Sequence, residues 1–207
     1  MPFWRRKKAP EPDEPARPPD RAGPPAERPD VPAGPLPEFR YFPDPVGAGV
    51  IVEDDAACDF CGAARGHIYV GSLYAVEEYV TCPWCIADGS AAATSDGEFT
   101  DVEDVPPDIP AEVVDELAHR TPGFMGWQQE RWLFHCGDAM AFLRPAGRKD
   151  LDPHPEAIAA VKEEWPRPED AERFEAYLDA LDPAGGPTAY LFRCLHCGTH
   201  LAYSDSD

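Results

Sequence analysis

The chain has 207 residues and sets 18 Lys and Arg against 39 Asp and Glu, a formal charge of −21. Residues 1–37 hold 12 of the 26 prolines with seven basic and six acidic residues, leaving 11 basic and 33 acidic ones to the rest. A body this acidic repels phosphate backbones, which argues against non-specific nucleic-acid binding, and no apolar run of about 18 residues is present to cross a membrane. From Pro2 to Pro37 there is almost no apolar anchor, so residues 1–37 are expected to form a disordered Pro-rich tail. Arg5, Arg6, Lys7 and Lys8 make it locally basic, either as a solubilising segment or as a contact for anionic lipid or nucleic acid. The start also lacks the apolar stretch of a secretory signal.

Residues 38–207 read as the folded part, in two halves, 38–125 and 126–207. Three aromatics in Phe39-Arg40-Tyr41-Phe42 mark the onset of order. A strand is expected at His67–Val70, a turn at Gly71-Ser72 and a second strand at Leu73–Val80, closing a hairpin. The Ala-rich stretch from Ile86 to Thr94 predicts a short helix weakened by Asp88-Gly89-Ser90. Prolines and acids make 96–110 a loop, and Pro110 suits the first position of a helix running through His119. Trp132–Cys136 and Ala139–Leu143, parted by Gly137-Asp138, predict a hairpin. Helices are expected over 154–164 and 168–181, the second with Phe174, Leu178 and Leu181 on one face. A last hairpin joins Ala189–Arg193 to Leu201–Ser204 through the turn Cys194–Gly198. The fold class is α+β: zinc-ribbon-like β-hairpins with CxxC turns, plus several short helices.

Seven cysteines, mostly in CxxC pairs, point to metal or redox chemistry in a reducing compartment, and a cytoplasmic location is expected. Cys58, Cys61, Cys82 and Cys85 form C-x2-C-x20-C-x2-C, the spacing of a structural zinc site. Each CxxC turn presents two thiolates to one side, and the intervening chain brings the pairs together. Gly62 frees the first turn to aim N–H groups at sulfur. In isolation Cys82-Pro83-Trp84-Cys85 also resembles the frame of a glutaredoxin-like thiol enzyme, which needs Cys82 at a helix N-terminus. No βαβ unit surrounds it.

Cys194 and Cys197, again followed by a glycine, make a second metal-type turn. With Cys136 they allow a second zinc of Cys3His type, for which His200 is preferred over His135 and His196. The competing reading makes this turn an empty knuckle and Cys136 a core thiol. His67 reads as an edge or core histidine, and Glu77 with Glu78 as a solvated strand face. Cys136 with His135 and Asp138 forms a nucleophile set on paper only, because three such groups within four positions rarely reach the required geometry. Trp84, Trp127, Trp132 and Trp165 read as core.

Phe39–Phe42, the first CxxC pair, Gly66-His67-Ile68-Tyr69 and the run from Cys82 to Ala91 resemble the CbrC family. So do Gly126–Glu130, His135–Asp138 and Tyr190–Gly198. The resemblance covers residues 38–207. It implies a small bacterial protein without an established activity, some relatives being known as colicin tolerance proteins, and it supplies no catalytic residues. The functional expectation is a zinc-binding, non-enzymatic acidic protein that meets a basic partner, as in toxin tolerance or immunity. The alternatives are a thiol-disulfide oxidoreductase acting through Cys82 and Cys85, and a transcription-associated zinc module using the basic tail.

Overall fold

A computed structural model describes residues 34–166 and 170–206 of the chain. The expected disordered tail, with its basic cluster, lies outside the described residues except for 34–37.

Phe39, Tyr41 and Phe42 are buried, and the chain then forms β1 (Ile51–Glu53) and, after the first cysteine pair, β2 (His67–Tyr69). These pair antiparallel with Ile51 opposite Tyr69. The strand expected at Leu73–Val80 is not formed. Tyr74 makes one bridge to Glu98 and Thr81 one to Tyr69, and Val76 is fully exposed. Alternation yields a strand only where one face has something to cover, and here the partner of β2 is the upstream β1.

Cys82 leads into α1 (Pro83–Ala87), which Gly89 at φ 77° separates from α2 (Ser90–Ser95). The helical stretch thus begins earlier than expected, inside the CxxC motif, with Pro83 supplying a first-turn residue that needs no N–H partner. Residues 96–110 carry no helix, and α3 (Ala111–Arg120) follows with Pro110 as its N-cap.

The next expected hairpin is real but short. β3 (Phe134–His135) pairs β4 (Asp138–Ala139) across Cys136-Gly137, both with positive φ, the signature of a two-residue type I′ turn. The chain then departs into β5 (Ala141–Ala146), which joins the three-stranded antiparallel sheet. Between β5 and the rest of that sheet come α4 (Arg148–Leu151), α5 (Pro155–Glu163) and α6 (Ala171–Ala180). β6 (Thr188–Arg193) and β7 (His200–Asp205) form the expected final hairpin, in the order β5-β6-β7.

An aromatic core joins the elements. Phe124 stacks on Phe142 at 4.0 Å, Phe42 meets Phe142 edge-on at 4.9 Å, and Trp132 and Phe192 close the group. Trp132 Nε1 donates to the Met140 carbonyl, so its one polar atom is satisfied inside. Aromatics from before and after residue 125 therefore interleave in one core. Leu151, Val161, Phe174, Leu178 and Leu191 form a second cluster between the helices α4–α6 and the sheet. Of the tryptophans expected inside, Trp132 is buried, Trp84 and Trp165 are half-buried, and Trp127 is 47% exposed with its Nε1 donating to Thr188 Oγ1. Its polar tip faces the rim of the sheet, which keeps the ring at the surface. Among the described residues no helix is long and apolar enough to cross a membrane.

Candidate metal centre

The two CxxC-Gly turns share one backbone. Gly62 N–H donates to the Cys58 carbonyl at 2.8 Å and Gly198 N–H to that of Cys194 at 3.1 Å. Cys58 N–H and Cys194 N–H return to the carbonyls of Ala63 and Thr199. Both glycines take positive φ, 72° and 78°, which a side chain would resist. The result is a knuckle whose two sulfurs face one side.

Opposite the first knuckle stands the start of α1. Cys58, Cys61, Cys82 and Cys85 place their sulfurs within 4.8 Å of one another. Cys61 and Cys82 are 3.8 Å apart, which matches the edge of a tetrahedron with metal–sulfur bonds of ~2.3 Å, about 3.8 Å. The Cys82 N–H points at Cys58 Sγ from 3.4 Å. Cys58, Cys82 and Cys85 are buried, and Cys61 is half-buried. Hydrogen bonds from the Cys82 and Cys85 thiols hold Cys58 far below the ordinary thiol range. The same contact with Cys58 pushes Cys82 up to about 11 and Cys85 higher still. One thiolate thus suppresses its neighbours, and a bound cation is what would let them ionise together.

The second knuckle faces the β3–β4 turn, which contributes His135 and Cys136. Together with Cys194 and Cys197 these form a second tetrad with all ligand atoms within 4.8 Å. Cys136 Sγ lies 3.8 Å from Cys197 Sγ, and His135 Nδ1 lies 3.2 and 3.4 Å from the same two sulfurs. Those values approach the ~3.5 Å edge set by a ~2.0 Å metal–nitrogen bond opposite sulfur. Contact with Cys197 pushes Cys136 up to about 11. Thr199 holds Cys197 low, and at Cys194 the N–H groups of Cys197 and His196 outweigh burial to do the same. Cys136 and Cys197 are exposed, so Cys136 is no core thiol and the knuckle does not stand alone.

His200, the expected fourth ligand, lies elsewhere. It opens β7 and turns toward α5, where it meets His154 and Glu156. Burial, with His154 adding to it, holds its pKa below the usual histidine range. His135, not His200, stands among the three cysteines, and its adjacency to Cys136 at a two-residue turn is the sequence signal for it. His196 points away from the sulfurs to Asp138, with Nε2 2.8 Å from the carboxylate. That buried carboxylate also accepts from Tyr41 Oη and Arg40 at 2.7 Å each. It therefore ties the β3–β4 turn to the second knuckle behind the ligands. Asp138 does not join a nucleophile set with Cys136. A separate cleft of about 300 Å³, lined by Phe124, Met125 and Trp127 among others, includes none of the tetrad residues.

Fold and site together define a small α+β protein with two cysteine-rich tetrads, each close enough to hold a metal ion. The chain belongs to the uncharacterised protein family UPF0167, which matches residues 36–206. It is 51% identical over 178 residues to UPF0167 proteins of Mycobacterium bovis and Mycobacterium tuberculosis, covering 82% of this chain and 93% of each relative. A UPF0167 protein of Pseudomonas aeruginosa is 44% identical over 171 residues, covering 79% of this chain and 93% of the relative. No solved structure matches. These matches correct the expected kinship: the family is UPF0167, not CbrC, and the colicin-tolerance role that came with CbrC loses its ground.

Proposed function

We propose that this protein is a zinc-binding, non-enzymatic module, with one ion in Cys58/Cys61/Cys82/Cys85 and a second in His135/Cys136/Cys194/Cys197, that presents an acidic surface to a basic protein. The carrying observation is the convergence of each tetrad at tetrahedral-edge distances. Soft thiolates with at most one imidazole are the donor set of structural zinc, and four protein ligands leave no open position for a reacting water. The partner reading is supported by charge. The sequence after residue 37 carries three acidic residues for each basic one, and that field speeds encounter with a cationic surface.

Metal analysis of the chain purified without added metal tests the first half. Two zinc ions per chain, with all seven thiols slow to alkylate until a chelator is added, is the expected result. A chain free of metal with rapidly alkylated cysteines overturns it. The partner reading expects affinity for a captured basic protein to fall steeply as salt rises, and a salt-independent affinity counts against it.

A thiol-disulfide role keeps one observation in its favour, since Cys82 is the N-cap residue of α1. Against it stand the burial of Cys82 and a pKa pushed up by Cys58, the opposite of an exposed, acidified nucleophile.

A further inference from the structure

His154, Glu156 and His200 converge without satisfying one another. His154 is the N-cap residue of α5, Glu156 lies in its first turn, and His200 is the first residue of β7. The imidazoles stack with centroids 3.7 Å apart and planes at 27°, which sets their nitrogen lone pairs side by side, so one ring has to turn for both to reach a single ion. Glu156 Oε1 accepts the His200 backbone N–H at 3.3 Å, which aims the carboxylate at the rings. Yet that oxygen is 3.7 Å from His200 Nδ1, beyond a hydrogen bond. One ring nitrogen of each histidine and a carboxylate oxygen all lie within 4.8 Å of one another, and all three residues are half-buried.

We propose that these residues form a third metal site, for a divalent first-row transition ion of the zinc class, chemically distinct from the two tetrads. Two imidazoles with one carboxylate are a nitrogen/oxygen donor set of borderline hardness, which suits zinc, cobalt or nickel better than calcium or magnesium. The carboxylate supplies the negative charge that neutral imidazoles lack. Arg193, opposite His200 across the β6–β7 register, is the cation nearest in the sheet and weakens the site by its charge. Three protein ligands leave a tetrahedral position to solvent, so this ion exchanges more readily than those closed in by four. Binding would pin the N-terminus of α5 to the head of β7, joining the helical cluster to the sheet at the end where the second knuckle sits. The proposal needs neither tetrad to hold zinc.

Cobalt titration of the full chain separates the sites. Ions in thiolate tetrads give intense sulfur-to-cobalt charge-transfer bands, whereas an ion on His154, Glu156 and His200 gives only weak ligand-field bands. The expected result is one further equivalent after the charge-transfer bands saturate. It is lost in the His154→Ala/His200→Ala double variant, whose charge-transfer bands stay unchanged. Zinc added to the wild-type chain should also shift the ring-nitrogen resonances of His154 and His200 while leaving those of His67 and His119 in place. Ring resonances of His154 and His200 that do not move at saturating zinc overturn the third site, whatever the thiolate bands show.

Discussion

Asp138 and Glu130 are both buried carboxylates, and their surroundings push them in opposite directions. Burial alone would raise Asp138, but bonds from Tyr41 and His196 and the charge of Arg40 outweigh it and hold the group below its ordinary range. A depressed folded pKa contributes stability above the unfolded carboxylate value, and that stability is lost as pH falls through the lower, folded value. Asp138→Ala leaves the buried Tyr41 hydroxyl without its acceptor and Arg40 and His196 to solvent, and a loss of about 1–3 kcal/mol is expected in urea unfolding at pH 7. Glu130 accepts from Tyr74 Oη at 2.7 Å and from backbone N–H groups of Glu130 and Asp101, yet burial outweighs these and raises its pKa. Here the sign reverses: stability is full below the unfolded carboxylate pKa and falls as pH rises through the raised folded one. Glu130→Gln keeps an acceptor for Tyr74 and removes the charge. It should make the protein more stable than wild type at pH 8 and no more stable at pH 4, read from urea midpoints at the two values. Neither environment is readable from sequence, because Asp138 meets partners 97 and 98 positions away and Glu130 one 56 away.

The β3–β4 turn carries a conflict between conformation and chemistry. Cys136 has φ 55°, and with Asp96 it is one of two non-glycine residues at positive φ among those described. Left-handed backbone costs an ordinary side chain about 1–2 kcal/mol, and Asn least among them. Cys136→Asn would create the Asn-Gly pair that type I′ turns favour. With chelator present this variant should unfold at a higher urea concentration than wild type. With zinc present the order should invert and one metal equivalent should be missing. Unchanged order in both conditions would mean that Cys136 has no ligand role. The same element shows what sequence could and could not deliver. The CxxC-Gly knuckles were legible because their backbone demand is local and glycine meets it. The β6–β7 hairpin was legible from its apolar strand and turn. Leu73–Val80 misled because alternation says nothing about whether a face will be covered, and β1 is three residues long, too short to carry a pattern. The sequence favours His200 because His196 sits inside the turn and C-x2-C-x2-H is a workable spacing, whereas side-chain direction is set by the pleat of β7 and by the twist of the Cys136-Gly137 turn.

Across the molecule the two tetrads differ in protection. Three of the four residues in the first are buried, while two of the four in the second are exposed. Chelation followed with a zinc-responsive dye should release the two tetrad ions in separate phases, the faster of these two abolished by Cys197→Ser. A single phase would mean that exposure does not govern release. A filled four-thiolate site has lost its protons and carries −2, and a three-thiolate site −1, so loading would add to an already negative chain and metal should stabilise it more at high ionic strength than at low. Thermal midpoints of the chelated and loaded chain at two salt concentrations measure that difference.

The tetrads also close loops of very different length. The first joins positions 21 apart, Cys61 to Cys82, and the second positions 61 apart, Cys136 to Cys197. Tripling a loop adds about 1 kcal/mol of closure entropy. The knuckle of the second tetrad is the turn of the β6–β7 hairpin, so that tetrad is complete only once the hairpin is made. Under the proposed loading, a growing chain takes up its first ion before Cys194 and Cys197 have been made. A second ion would then mark a completed chain. A population synthesised in a zinc-poor cell would hold singly loaded molecules with an unclasped final hairpin, and those are the ones a protease would reach first.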